Sequence, residues 1–199
     1  MAPFSGEKKL MIYNLWNEIT ASKLIVSRRK EAVVNDNEID IGRASENDLD
    51  GILELQAANQ TDRGGTLSAS MPRFKIAETM RKIPLIVARR GVCIVGFLMT
   101  WSREMATDIP IINAMLAAYP GASDAYVYGP ICVAAEERGN GLAQAMFSEL
   151  RRLVPAREGI LFIRQDNLNS LRAHEKMGIK EVGSFVFDGS EFFVLSYIG

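Results

Sequence analysis

Apolar positions along the chain follow two rhythms, one near 3.6 residues and one of 2, and their succession predicts a mixed α/β order. Ile12, Leu15, Trp16 and Ile19 share one helical face while Glu7, Lys8, Asn14 and Glu18 fall elsewhere, so residues 7–30 read as a helix. Arg28, Arg29 and Lys30 suit the negative end of its dipole, and Asn35-Asp36-Asn37 reads as a turn that sets a boundary near residue 37. Ile39 to Ala44 then alternates as a short strand. Ser45 and Asp48 make a helix cap ahead of the periodic Leu49, Ile52, Leu53 and Leu55. Residues 60–71, rich in Thr, Gly and Ser, read as a flexible loop before a helix opened by Pro72.

Pro84–Ala88 and Val92–Trp101 are β-branched runs joined by Arg89-Arg90-Gly91, the composition of an antiparallel hairpin. A helix over Ile111–Tyr119 closes at Pro120-Gly121, and Tyr126–Ala134 follows as a buried strand. Gly129-Pro130 interrupts that strand, and a proline there demands a bulge or an end to pairing. The rest of the order is helix (Asn140–Leu153), strand (Ile160–Ile163), helix (Leu168–Met177), strand (Val182–Phe187), a turn at Asp188-Gly189-Ser190, and strand (Phe192–Ile198). Neither an internal repeat nor a low-complexity segment breaks it.

Composition narrows the class of protein without naming its chemistry. A 199-residue chain is long enough for one folded domain with an extension, and no apolar run approaches the length of a membrane span. Lys and Arg (23) nearly cancel Asp and Glu (24), so the overall field favours neither nucleic acid nor an anionic membrane as a partner. Cys93 and Cys132 both lie in apolar strand-like runs and read as reduced core residues. No secretory signal pattern opens the chain, which makes the cytoplasm the expected location.

The chemistry concentrates in Ile131-Cys132-Val133-Ala134-Ala135-Glu136-Glu137-Arg138-Gly139-Asn140-Gly141-Leu142-Ala143, an apolar strand passing through a charged turn into a helix opened by glycines. The first turn of a helix has unpaired N–H groups and a partial positive charge, so it can hold a phosphate where no side chain blocks the approach. Gly139 and Gly141 remove such a block, and Arg138 adds a cation. Taken alone, the two glycines favour a tight strand-to-helix turn over a phosphate site. A dinucleotide fingerprint fits poorly, since its third glycine would fall on Gln144, and a Walker loop needs a Lys-Ser or Lys-Thr that is not there.

Arg138-Gly139-Asn140-Gly141-Leu142-Ala143 resembles the Gln/Arg-x-x-Gly-x-Gly/Ala loop with which the GNAT superfamily of N-acetyltransferases holds the pyrophosphate of acyl-CoA. A second stretch, Asn167 to Ile179, is similar to that family's Asn-x-x-Ala/Ser-x-x-x-Tyr-x-x-x-Gly-Phe segment, with His174 in place of Tyr and Ile179 in place of Phe. The resemblance covers residues 38–199. It implies a mixed α/β fold with a central, mostly antiparallel twisted sheet splayed at strands 4 and 5, flanked by helices; the helix read ahead of it makes residues 1–37 an N-terminal helical extension.

The resemblance also implies an acetyl-CoA-dependent N-acyltransferase without a metal, in which an amine attacks the thioester directly. Main-chain groups of Ile131, Cys132 and Val133 would pair with the pantetheine, N–H groups from Arg138 to Ala143 would hold the pyrophosphate, and Asn167 would cap its helix or touch the pantetheine. A backbone N–H near Cys132 or Val133 would face the oxyanion, and His174 would protonate the leaving thiolate. Asp124, Tyr126 and Tyr128 alternate toward one strand face where relatives place a base, and Tyr126 is the first candidate; packing is the competing role for both tyrosines. Cys132 as an acyl-carrying nucleophile would need an activating base, and the chain has a single histidine.

The acceptor stays open among polyamine-like compounds, amino acids, antibiotics and protein termini, that is, a small-molecule or peptide amine; Glu104 and Asp108 are acidic residues that could attract it. Two other readings compete: a CoA-binding module without catalysis, and a function carried by residues 7–30 as an amphipathic helix for a partner or membrane. The polar face of that helix favours packing on the domain or on a second subunit, which makes a homodimer one expectation.

Overall fold

The computed structural model describes residues 38–199 apart from 66, 68 and 69; the helix expected over residues 7–30 lies outside the described residues. Ile39–Arg43 forms β1. Asp48 then accepts from the backbone N–H of Ser45 at 2.6 Å and from its hydroxyl at 2.8 Å, so the expected cap forms and helix α1 (Leu49–Ala58) follows. Arg89 clamps the same carboxylate with two bonds of 2.8 Å, which holds it down at a pKa of about 2. Helix α2 (Arg73–Lys82) begins after Pro72, and the hairpin forms as β2 (Ile86–Arg90) and β3 (Cys93–Ser102).

One cysteine departs from expectation. Cys132 is buried, but Cys93 is exposed, because β3 starts immediately after the hairpin turn and its first residue pairs with Arg90 at the end of β2, outside the core.

Helix α3 (Pro110–Ala118) leads into β4 (Tyr126–Val133), α4 (Leu142–Leu153), β5 (Glu158–Arg164), α5 (Leu168–Lys176), β6 (Lys180–Phe187) and β7 (Ser190–Ile198). The seven strands form one mixed sheet in the order β1-β2-β3-β4-β5-β7-β6, antiparallel except for β4 beside β5.

Each face of the sheet is covered by helices that its sequence pattern makes room for. Helix α4 buries Leu142, Met146, Phe147 and Leu150, and the missing side chain at Gly96 lets Met146 settle onto β3, where a Cβ would stand 3.0 Å from its terminal carbon. His174 of α5 reaches Tyr128 on that same face. Helix α1 lies on the opposite face, with Gly51 against Ile94, and the loop after α3 packs there on Ile160. Leu49, Ile52, Ile76, Met80, Ile112 and Met115 complete that side of the core.

The feature that positions the site is a failure of pairing. Strands β4 and β5 join only at Tyr126↔Gly159 and Val127↔Ile160 and then part, whereas β5 stays paired with β7 along its whole length. Proline at 130 has no N–H to give a ladder, and Gly129 sits at φ 102°, a conformation that turns the strand away. From β3, the indole N–H of Trp101 donates to the Gly129 carbonyl at 2.7 Å and fixes the kink. The bulge expected at Gly129-Pro130 is therefore the point where the sheet opens.

Candidate active site

Two different walls line the opening between β4 and β5. The first is main chain. Ala134 donates its N–H to the Val95 carbonyl at 2.9 Å, and the antiparallel alternation then turns the main-chain groups of Cys132 toward β3 and those of Ile131 and Val133 toward the gap. Of the three residues expected to pair with a ligand through their backbone, Ile131 and Val133 thus have groups free of β3, while Cys132 lends its side chain to the core. Burial pushes the Cys132 thiol up to about 11, which keeps it protonated and poorly nucleophilic.

The strand continues into the glycine loop, where Gly139 and Gly141 adopt φ values of 84° and 77°. Nothing lies within 4 Å of a Cβ built on either one. Glycine is needed there for the left-handed backbone rather than to relieve crowding, and the space beside it is open. Gly141 caps α4, whose first residue, Leu142, lies two positions later than the start the pattern suggests at Asn140, and Leu142 and Ala143 contribute the first-turn N–H groups. Asn140 is exposed at the loop's tip.

Arg138 does not point freely into solvent. Its guanidinium donates to the Asn59 side chain at 2.6 Å and to the Val133 carbonyl at 3.2 Å, tying the loop to the end of α1. The turn is anchored again by buried Glu137, which accepts from Arg90 at 2.8 and 3.0 Å. Neither Asn59 nor Glu137 carries any signal in the sequence beyond being polar.

The second wall is a box of aromatic rings. Tyr126 and Tyr128 lie on one face of β4 as the alternation predicts, whereas Asp124 sits before the strand. Tyr126 is fully buried, its hydroxyl 2.5 Å from that of Tyr197, and burial raises its pKa to about 12. Tyr128 meets Phe147, His174 and Tyr197 edge-on, with ring centroids 5.9, 5.7 and 5.7 Å away. Gly159 makes the box closable: a Cβ there would stand 2.4 Å from the Tyr197 ring, which instead lies across β5. The sequence carries no signal for Phe147 or Tyr197; the register that sets Gly159 opposite Tyr197 comes from the sheet.

His174 completes the box and is 4% exposed. Its Nδ1–H donates to the Ser170 carbonyl at 2.7 Å, which leaves Nε2 as the nitrogen with a lone pair. Burial lowers the imidazole pKa, outweighing that bond, so the ring is neutral near pH 7. Nε2 of His174 and Oη of Tyr128 are both buried and have no hydrogen-bond partner among the described residues. Two such atoms on adjoining rings are costly to bury unless something fills their valences.

A family model for the acetyltransferase (GNAT) family matches residues 51–179, more than half of the chain, and takes in the gap, the glycine loop and His174. The chain belongs to the GNAT family.

Solved structures agree on the fold. A GNAT-family acetyltransferase from Streptococcus agalactiae superposes with a TM-score of 0.62 at 16% identity, over 82% of this chain and 96% of its own. YncA from Salmonella typhimurium, solved with its cofactor acetyl-CoA, gives 0.58 at 13% identity, over 81% and 94%. Naa50 of Arabidopsis thaliana, in complex with the bisubstrate analogue CoA-Ac-MVNAL, gives 0.59 at 12% identity, over 81% and 99%. No curated protein sequence matches.

The residues present fit the acetyl-CoA of a GNAT protein: an open glycine cradle at a helix start, a strand edge with main-chain groups turned away from β3, and two buried polar atoms, on Tyr128 and His174, without partners among the described residues. Asn167 stands at the start of α5, where its side chain accepts from the Ser170 N–H at 3.2 Å, so it caps the helix that carries His174. Of the two acidic residues expected to attract an amine, Asp108 is taken up by Lys75 at 2.5 Å and Glu104 is held by a bond from Ser102. Among the described residues no group of three or more His, Cys, Asp or Glu could hold a metal ion, and no helix is long and apolar enough to cross a membrane.

Proposed function

We propose that the protein is an N-acetyltransferase that moves an acetyl group from acetyl-CoA to an amine by direct attack, with His174 as its proton-handling residue. The observation that carries this reading is the neutral, buried and unpartnered Nε2 of His174 beside the gap. A module that only bound CoA would gain nothing from an orphaned imidazole nitrogen.

Acetyl-CoA, when bound, supplies the acetyl thioester. The N–H groups of Gly139 to Ala143 would receive the pyrophosphate at the start of α4, with Arg138 holding the loop in shape through Asn59 and Val133. Ile131 and Val133 would engage the pantetheine as an added strand does, and of the two expected oxyanion donors Val133 is the one whose N–H faces away from β3, that of Cys132 being committed to the ladder.

The resemblance assigned His174 to giving a proton, and its environment adds an earlier step. A neutral imidazole whose Nδ1–H is committed to Ser170 must first receive one. Nε2 takes the proton that the attacking nitrogen sheds and releases it toward the departing sulfur, so the ring ends as it began and no net proton is lost. Tyr128 lies edge-on against the ring, and its hydroxyl is likewise buried without a partner among the described residues. Tyr126, bonded to Tyr197 and raised to about 12, remains protonated and serves by holding the box closed.

The test couples binding with turnover on the full chain. Acetyl-CoA at about one hundred times its dissociation constant should stabilise the protein by about 2.7 kcal/mol in a melting experiment. Free thiol should then appear only when a primary amine is added. A melting shift with no amine-dependent thiol release across a broad amine panel would leave a binding module in place of an enzyme.

A further inference from the structure

Strand β5 continues beyond the point where β4 leaves it, and what it presents there differs between its two faces. Leu161 and Ile163 turn to the face of α4 and α5 and are buried. Phe162 turns to the other face, where Ile160 is fully buried against the loop after α3, while Phe162 is only half-buried. Phe185 and Phe192, directly paired across β6 and β7, stand beside it. Their rings stack at 5.2 Å and 17°, and each meets Phe162 edge-on, at 6.0 and 5.6 Å.

This half-open phenyl platform begins at the gap with Phe162 of β5 and runs away from it through Phe192 of β7 to Phe185 of β6, on the sheet face opposite Leu161 and Ile163. If Nε2 takes a proton from the attacking nitrogen on one face, the substituent carried by that nitrogen leaves through the other, onto Phe162. We infer that Phe162, Phe185 and Phe192 form the acceptor subsite, and that the acceptor is an amine bearing an aromatic or branched apolar group close to the nitrogen. The inference rests on the transferase reading above.

Charge separates this occupant from others. Two positions beyond Phe162 on the same face of β5, and directly opposite Phe192, stands Arg164, which donates to Asp166 at 2.5 Å. The platform itself contributes no carboxylate. A dicationic polyamine would bring its second charge to an apolar surface beside an arginine–aspartate ion pair, whereas an apolar amine buries carbon against three rings.

The experiment uses the full chain with three probe amines: phenylalaninamide, glycinamide and putrescine. The expected result is a kcat/KM for phenylalaninamide at least about tenfold above glycinamide and putrescine, in the range that one apolar group supplies. Phe162→Ala should erase most of that preference, and Phe162→Leu, which keeps the volume filled, should erase part of it. Both should keep the acetyl-CoA melting shift. Glycinamide or putrescine used as well as phenylalaninamide, or a preference untouched by either substitution, overturns the subsite while the transferase reading stands. Absence of the acetyl-CoA shift in the unaltered protein overturns both.

Discussion

The two walls of the gap solve different problems with different parts of the chain. The wall running from β4 through Gly139 and Gly141 into α4 offers main chain, continuous in sequence, and most of its side chains matter only by being small or by turning away. The facing wall offers side chains from four elements: Tyr128 of β4, Phe147 of α4, His174 of α5 and Tyr197 of β7, drawn together over Gly159 of β5. The first is suited to holding a ligand common to a whole family, since every residue except proline has an N–H. The second is suited to chemistry, since only an imidazole or a phenol offers a movable proton.

If that division is right, damage to one wall should appear in kcat and damage to the other in binding. The largest effect is expected from His174→Gln, which keeps a polar side chain but removes the titrating nitrogen. Its kcat should fall by about 10² to 10⁴ while the acetyl-CoA dissociation constant stays within about twofold, as steady-state kinetics and calorimetry would report. Equal losses in both quantities would erase the distinction between the walls.

Gly141→Val attacks the opposite side. A β-branched residue at φ 77° costs about 1–2 kcal/mol of backbone strain and displaces the first turn of α4. Acetyl-CoA affinity should drop by about 100-fold, with the far-ultraviolet spectrum unchanged, and kcat at saturating cofactor should suffer far less.

A smaller effect, read as stability, is expected from Gly159→Ala. The added methyl would enter the Tyr197 ring, and overpacking of this kind costs about 1–3 kcal/mol. Melting temperature should fall, and the Tyr126–Tyr197 hydroxyl pair should be disturbed with it.

The gentlest probe is pH. His174 titrates below its ordinary 6.5 when folded, so the unfolded chain takes up its proton first as pH falls. Stability from this group is complete above 6.5 and declines below it, and kcat/KM should show an acid limb in the same window because the neutral ring is the working form. In the Gln variant that limb should vanish.

The same division explains what could be read in advance. The element order was legible because apolar periodicity survives wherever one face is buried, and the bulge at Gly129-Pro130 was legible because proline cannot join a ladder. The glycine loop was legible because its residues are consecutive. The aromatic box was not, because Tyr197 lies 71 residues from Tyr126 and nothing local marks them as partners. Burial was misjudged at Cys93 for a related reason: an apolar run does not say where its strand leaves the core. The tie from Arg138 to Asn59 spans 79 residues and was equally invisible.

The alternation along the end of β4 has a consequence in the time domain. The Cys132 amide is committed to β3, so its hydrogen should exchange with solvent only when the sheet itself opens. The amides of Ile131 and Val133 on either side face the gap, outside the ladder, and should exchange far sooner. Three successive residues of one strand then keep two different clocks, and a ligand that completes the strand would bring them into step.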